Sequence, residues 1–80
     1  MPDTYMFEVY YKGPIDELRE ARISSIVARC GGRLDFHEGS DAGPIILTYE
    51  FLSLKALTAA ATELRAAGEH VEGGGTYAAD

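Results

Sequence analysis

The side chains in this chain that could do chemistry are mainly carboxylates, and they are unevenly placed. The formal net charge is -6, yet the first 33 residues balance five acids against five bases. Residues 34–54 and 66–80 contain no Lys or Arg, and their acidic residues are Asp35, Glu38, Asp41, Glu50, Glu69, Glu72 and Asp80. Charge asymmetry of this kind concerns partners rather than the fold, so it predicts binding to a basic surface.

Two arrangements of these residues would have a chemical use. Glu8 and Glu50 would share a proton if they met on adjacent strands, as in acid-base catalysis. His37 and His70 would bind a metal ion together with neighbouring carboxylates, which are Asp35, Glu38 and Glu72. No spacing selects a metal, so we interpret the histidines as surface residues and the glutamates as solvated or part of an interface. We therefore predict no catalytic residue, no metal site, no cofactor and no enzymatic activity.

Length and composition limit the organisation of the chain. Eighty residues predict a single α+β domain over residues 1–80, without a separate catalytic domain. Cys30 is the one cysteine, so an intrachain disulfide is excluded and a reducing compartment is favoured. The chain has no signal-peptide pattern and no apolar segment of roughly 20 residues. These features predict a cytoplasmic protein that does not bind membranes.

Four segments have the alternation of β-strands: residues 4–12, 33–38, 45–51 and 70–78, the last interrupted by Gly73-Gly74-Gly75. In the first three strands, one set of alternating side chains is apolar and is expected to be buried. This set is Tyr5, Phe7, Val9, Tyr11, Leu34, Phe36, Ile45, Leu47, Tyr49 and Phe51.

Two segments have the signals of α-helices. An early proline, early acids and a closing Gly-Gly predict a helix from Pro14 to Cys30. Ser53 as N-cap and Gly68 as the stop predict a second helix that ends near Ala67. At about 100° per residue, the inner sides are expected to carry Ile15, Leu18, Ile23, Ile26, Val27 and Cys30 in the first helix, and Leu54, Leu57, Ala61 and Leu64 in the second.

Two residues on the inner side of the first helix have alternative interpretations. Cys30 would be a nucleophile only as a thiolate, which the negative end of a helix disfavours, so we interpret it as a core residue. Arg19 lies near the middle of the apolar half. It either extends its charged end past the sheet edge to water or forms a paired arginine inside an interface.

The order strand, helix, strand, strand, helix, strand predicts an α+β fold of the ferredoxin-like split βαβ type (βαββαβ), an antiparallel sheet with both helices on one face. The first and third strands would then be central. The other face of the sheet would display Met6, Glu8, Tyr10, Arg33, Asp35, His37, Ile46, Thr48 and Glu50.

Several families of this architecture have motifs that are missing here. A copper or zinc chaperone needs paired thiolates in the first loop, which is Lys12-Gly13-Pro14 in this chain. An RNA-recognition domain needs aromatic residues on both central strands and a basic surround, whereas only Tyr10 is expected to be available for stacking. An acylphosphatase-like site needs an amide side chain, and the chain has no Asn or Gln. We predict no direct binding of nucleic acid.

A short, acidic, single-domain chain with no catalytic motif resembles the small phage-encoded anti-CRISPR proteins. The resemblance covers size and charge, and no shared motif carries residue roles across. It implies a non-enzymatic inhibitor that acts as a DNA mimic on a CRISPR effector complex, so that target DNA is excluded. The residues expected to contact such a basic partner are Glu8, Tyr10, Asp35, Glu38, Asp41, Glu50, Glu69 and Glu72.

A second hypothesis uses the open sheet face differently. Met6, Tyr10 and Ile46 would form an apolar patch through which a ferredoxin-like domain dimerises, encloses a small ligand or acts as a regulatory module. Burying carboxylates there without bases is costly, which disfavours a dry interface. The sequence does not decide between a monomer and a homodimer. It also does not decide whether the acidity serves binding or solubility alone.

Overall fold

The chain forms six elements in the order β1 α1 β2 β3 α2 β4. The computed structural model describes residues 4–39 and 42–77, and for residues 74–77 it describes the backbone only. The predicted succession of strands and helices is confirmed, and Ala78 lies outside the described residues. The elements are β1 (Thr4–Lys12), α1 (Glu17–Arg29), β2 (Arg33–Glu38), β3 (Pro44–Phe51), α2 (Leu54–Ala66) and β4 (His70–Tyr77).

The four strands form one antiparallel sheet in the order β2-β3-β1-β4, so β1 and β3 are central and β2 and β4 are the edges. The central pair keeps one register from Tyr5 opposite Phe51 to Lys12 opposite Pro44. This architecture confirms the predicted α+β class with an antiparallel sheet and two helices. It is consistent with a ferredoxin-like type.

Both helices pack on one face of the sheet, because alternate strand residues and one side of each helix form a single buried cluster. Removal of this apolar surface from water is the main stabilising term of the fold. The buried residues are Phe7, Val9, Tyr11, Ile23, Val27, Ile45, Leu47, Tyr49, Phe51, Leu57, Ala60, Ala61, Leu64 and Val71.

The helix ends follow their capping residues. Asp16 accepts a hydrogen bond from the Arg19 amide at 3.0 Å, and Ser53 accepts one from the Ala56 amide at 3.1 Å. Gly31 and Gly68, each just beyond a helix, have φ of 87° and 92°, a conformation that glycine adopts without strain. The prediction of Ser53 as N-cap and Gly68 as the stop of α2 is confirmed.

Three residues predicted on the inner helix sides are exposed instead: Ile15 at 42%, Leu18 at 75% and Leu54 at 47%. Ile15 precedes the N-cap, so the helical periodicity does not apply to it. Leu18 lies five residues before Ile23, about 140° around the helix from it. Leu54 is the first residue of α2, and the packed side of that helix begins one turn later, at Leu57.

A β-bulge in β2 changes which of its side chains face the helices. Leu34 pairs with Tyr49 and Phe36 with Thr48, so Asp35 is an extra residue without a partner in β3. Beyond the bulge the alternation is reversed. Phe36, predicted to face the helices, lies on the opposite face, and His37, predicted on the opposite face, lies on the helix side.

Candidate binding surface

The face of the sheet opposite the helices brings together most of the residues predicted to bind a partner. The strand registers arrange its side chains in three rows that run across the strands. We call this surface the open face, and its rows are Glu38-Ile46-Tyr10-His70, Phe36-Thr48-Glu8-Glu72 and Arg33-Glu50-Met6.

The open face carries an excess of negative charge. Four of these eleven residues are glutamates and one is an arginine, Arg33. Lys12, opposite Pro44, adds a second base to the same face beyond the first row. Arg33 donates from Nε to Glu50 Oε1, and the Glu50 side chain is only 18% exposed. The charge of Glu50 is therefore largely matched within the chain. Glu8, Glu38 and Glu72 provide the excess.

Short hydrogen-bonded contacts hold two of these carboxylates in place. The Tyr10 hydroxyl donates to Glu8 Oε1 at 2.9 Å, and this hydrogen bond to a carboxylate raises the pKa of Tyr10. His70 Nε2 lies 2.6 Å from Glu72 Oε2, and the His70 ring meets the Tyr10 ring edge-on with centroids 6.0 Å apart. These contacts give a partner fixed acceptor groups on a rigid sheet.

Apolar side chains lie among the carboxylates. Phe36 is 57% exposed, and Met6 and Ile46 are partly exposed in the neighbouring strands. Sequence reasoning missed Phe36 as a surface residue, because regular alternation assigns it to the core. The spacing carries no signal of the extra residue, because the run Leu34-Asp35-Phe36-His37 alternates regularly between apolar and polar side chains.

Glu69, predicted to contact a partner, is instead bonded within the chain. Arg19 donates from Nε and Nη2 to Glu69 Oε1 at 3.0 and 2.9 Å, and from Nε to Oε2 at 3.3 Å. The Glu69 side chain is 11% exposed, and the Arg19 guanidinium also lies over the Tyr11 ring, 4.9 Å from its centroid. Arg19 is therefore a paired arginine that joins α1 to the start of β4.

A second internal network occupies the helix side of the sheet. The buried Tyr11 hydroxyl donates to Glu20 Oε2 and accepts from the Asp16 amide at 2.9 Å. His37 Nε2 lies 3.1 Å from Glu20 Oε1, which ties the edge strand β2 to α1. Burial is the largest cause that raises the pKa of Tyr11, and Glu20 adds to it. His37 thus belongs to the structural side of the molecule.

The two remaining predicted contact residues are Asp35 and Asp41. Asp35 lies exposed in the bulge of the edge strand. Asp41 lies outside the described residues, in the connection between β2 and β3. Five of the eight predicted contact residues therefore share the open face, and they are Glu8, Tyr10, Glu38, Glu50 and Glu72.

The candidate catalytic groups are not brought together. Glu8 lies opposite Thr48 and Glu50 opposite Met6, so the two glutamates are diagonal neighbours with separate hydrogen-bond donors. Cys30 packs against the core, and burial and the nearby Glu63 carboxylate raise its pKa, which disfavours a reactive thiolate. His37 and His70 are on different faces of the sheet.

Within residues 4–39 and 42–77, no three His, Cys, Asp or Glu side chains group as a metal site. Neither helix in this part of the chain is long and apolar enough to cross a membrane. Comparison of the chain with family models, curated proteins and solved structures gave no match.

Proposed function

We propose that this protein is a non-enzymatic inhibitor whose open face binds a basic nucleic-acid-binding site on a partner protein. The observation that carries the proposal is the excess of carboxylates from Glu8, Glu38 and Glu72 on one face of the sheet. We also propose that the domain is of the ferredoxin-like type. The partner class is a CRISPR effector complex, as the resemblance to anti-CRISPR proteins implies.

The spacing of the carboxylates suits a surface that normally holds phosphates. Neighbouring strands lie about 5 Å apart, and side chains on one face of a strand repeat about every 7 Å. Glu8 and Glu72 lie side by side on neighbouring strands, and Glu38 lies two strands and one row from Glu8, so Lys and Arg side chains that track a nucleic-acid backbone would meet separate negative groups. An occupied site excludes the nucleic acid by direct competition, and complementary charge speeds the encounter.

The aromatic and apolar residues of the open face would add affinity that salt does not screen. Tyr10 and Phe36 are side chains of the kind that dominate protein interfaces, and arginine packs well on their rings. Glutamates around them would select a basic partner over a neutral one. The proposed contact is therefore mixed, with a charged and an apolar component.

A second candidate function has one observation in its favour. A depression of about 290 Å³ lined by Met6, Phe7, Glu8 and Thr48 opens on the same face. In a dimer formed through the open face, such a depression would be enclosed and would hold a small ligand. This hypothesis requires the open faces of two copies to meet, which the charge of Glu8, Glu38 and Glu72 opposes.

Competition with target DNA tests the first proposal. A purified, guide-loaded multisubunit CRISPR effector complex is incubated with the protein, and binding of labelled target DNA is measured over a range of salt concentrations. The proposal predicts a stable protein-effector complex, loss of DNA binding, and recovery as salt weakens the charged contact. Unchanged DNA binding with saturating protein on every effector class tested would contradict this partner assignment.

A search without an assumed partner tests the broader proposal. The tagged protein is used to capture proteins from the extract of its native cell at low salt, and bound proteins are released with a salt gradient. Nucleic-acid-binding proteins are expected in the salt-released fraction, and added DNA should compete for them. Capture that neither salt nor DNA reduces would contradict an acidic competitor of nucleic acid.

A further inference from the structure

The edge strand β2 carries a surface that is complementary to itself. In the described residues, β2 pairs with β3 alone, so its second edge is available to another strand. Edge strands that avoid pairing carry charged residues, proline or a bulge, and β2 (RLDFHE) has no lysine or proline but does have three charged residues and the bulge at Asp35. These features limit pairing of β2 to a register in which its charges are matched. All six of its residues are exposed, with Leu34 at 47% and Phe36 at 57%.

The bulge at Asp35 gives β2 its complementarity. Arg33 and Glu38 are five residues apart, so a regular strand would place them on opposite faces. With Asp35 extruded, the positions that pair with β3 are Arg33, Leu34, Phe36, His37 and Glu38. Arg33, Phe36 and Glu38 then all lie on the open face, with opposite charges at the two ends and an aromatic residue in the middle.

We propose that β2 pairs with β2 of a second copy of this chain, antiparallel about a two-fold axis through Phe36. In this register Arg33 lies opposite Glu38 of the second copy, and this occurs twice because of the symmetry. Leu34 lies opposite His37 of the second copy on the helix side, and the two Phe36 rings meet at the axis. Every facing pair lies on the same face of the joined sheet, as antiparallel pairing requires.

The two charged side chains involved are exposed enough to make these contacts. The Arg33 side chain is 82% exposed although its Nε is bonded to Glu50, and Glu38 is exposed. The joined sheet would have eight strands and a continuous open face with two sets of acidic rows. This inference goes beyond the proposed function, since it concerns the β2 edge and a second copy of the chain.

The dimer is expected to be weak. A single pair of edge strands buries less surface than a standard protein interface, and the two Asp35 carboxylates lie next to the axis and repel each other. Sedimentation equilibrium of the full chain is therefore measured up to about 1 mM, where a weak dimer is populated. A chain that stays monomeric throughout this range would overturn the proposal.

Charge exchange between two variants tests the register. Arg33→Glu alone and Glu38→Arg alone each place like charges opposite each other at both ends, which should weaken the homodimer by about tenfold or more. An equimolar mixture of the two variants restores both opposite-charge pairs and should form a heterodimer about as tight as the wild-type dimer. Circular dichroism checks that both variants are folded.

The outcomes separate this proposal from the proposed function. A wild-type dimer that both single variants weaken and their mixture restores supports the β2 register. A dimer unaffected by either variant, or one that the mixture does not restore, overturns it. The substitution pair Glu8→Lys and Glu72→Lys leaves β2 unchanged, so it should leave the dimer unaffected while it weakens binding to a basic partner.

Discussion

The carboxylates on the two faces of the sheet differ in whether their charge is matched within the chain. On the helix side, Glu69 and Glu20 are bonded to Arg19, Tyr11 and His37, and their side chains are 11% and 19% exposed. On the open face, the Glu72 side chain is 59% exposed, and among residues 4–39 and 42–77 neither Glu8 nor Glu38 forms an ion pair with an arginine or lysine. Negative charge thus stabilises the structure on one face and is available to a partner on the other.

The contrast teaches that an acidic stretch of sequence does not by itself form an acidic surface. Glu69 and Glu72 are three residues apart in the same base-free stretch. Glu69 nevertheless pairs with Arg19 of α1, whereas Glu72 lies in a row of the open face. The side chains that each carboxylate meets in the fold, rather than the local charge of the sequence, decide whether its charge is matched within the chain.

The largest effect on stability is expected from Glu69→Gln. The substitution keeps the shape of the side chain but removes the charge that neutralises Arg19, so the free energy of unfolding should fall by about 1–3 kcal/mol. Urea denaturation measures the change. Glu72→Gln is the matched control on the open face and should change the stability by less than about 0.5 kcal/mol. Equal losses for the two variants would remove the distinction between the faces.

A smaller loss is expected from Tyr11→Phe. The variant loses the hydrogen bond to Glu20 and the acceptor of the Asp16 amide, which should cost about 1 kcal/mol of unfolding free energy. Tyr10→Phe also removes a hydroxyl that donates to a glutamate, but on the open face, where water replaces the lost hydrogen bond. Thermal unfolding of the two variants compares them, and a larger loss for Tyr10→Phe would contradict the assigned roles.

The smallest expected effect is a loss of stability at alkaline pH. Burial raises the pKa of Tyr49 and is also the main cause of the raised pKa of Tyr11. The unfolded chain therefore releases these two protons at lower pH than the folded chain does. The contribution of the two tyrosines to stability is fully present below about pH 10 and declines as the pH rises above it. Urea denaturation between about pH 8 and 11 should show this decline, and Tyr49→Phe should reduce its slope. An unchanged slope would indicate that Tyr49 titrates normally.

The strands and helices could be predicted because their periodicity is regular. Every predicted buried position of β3 is buried, since Ile45, Leu47, Tyr49 and Phe51 follow strict alternation. The prediction for α1 was wrong at Ile15, because the helix begins at Glu17 rather than Pro14, and at Leu18, because it lies about 140° around the helix from Ile23. A helical wheel extended beyond the N-cap assigns faces to residues that are not helical.

The candidate site was only partly predictable. The open-face positions of Glu8, Tyr10 and Glu50 follow from alternation in the central strands, which have no register shift between them. The exchange of Phe36 and His37 between faces depends on one extra residue, which a pattern of period two cannot locate. The pairing of Glu69 with Arg19 depends on two elements 50 residues apart, a contact that local spacing does not encode.

The most direct test of the central claim compares two pairs of charge reversals in one binding experiment. Glu8→Lys with Glu72→Lys changes the open face, and Glu17→Lys with Glu63→Lys makes the same change of net charge on the helices. Binding to the basic partner, measured by competition with its nucleic acid, should fall by at least about a hundredfold for the open-face pair and only a fewfold for the helix pair. Equal losses for the two pairs, or a larger loss for the helix pair, would contradict the assignment of the open face as the binding surface.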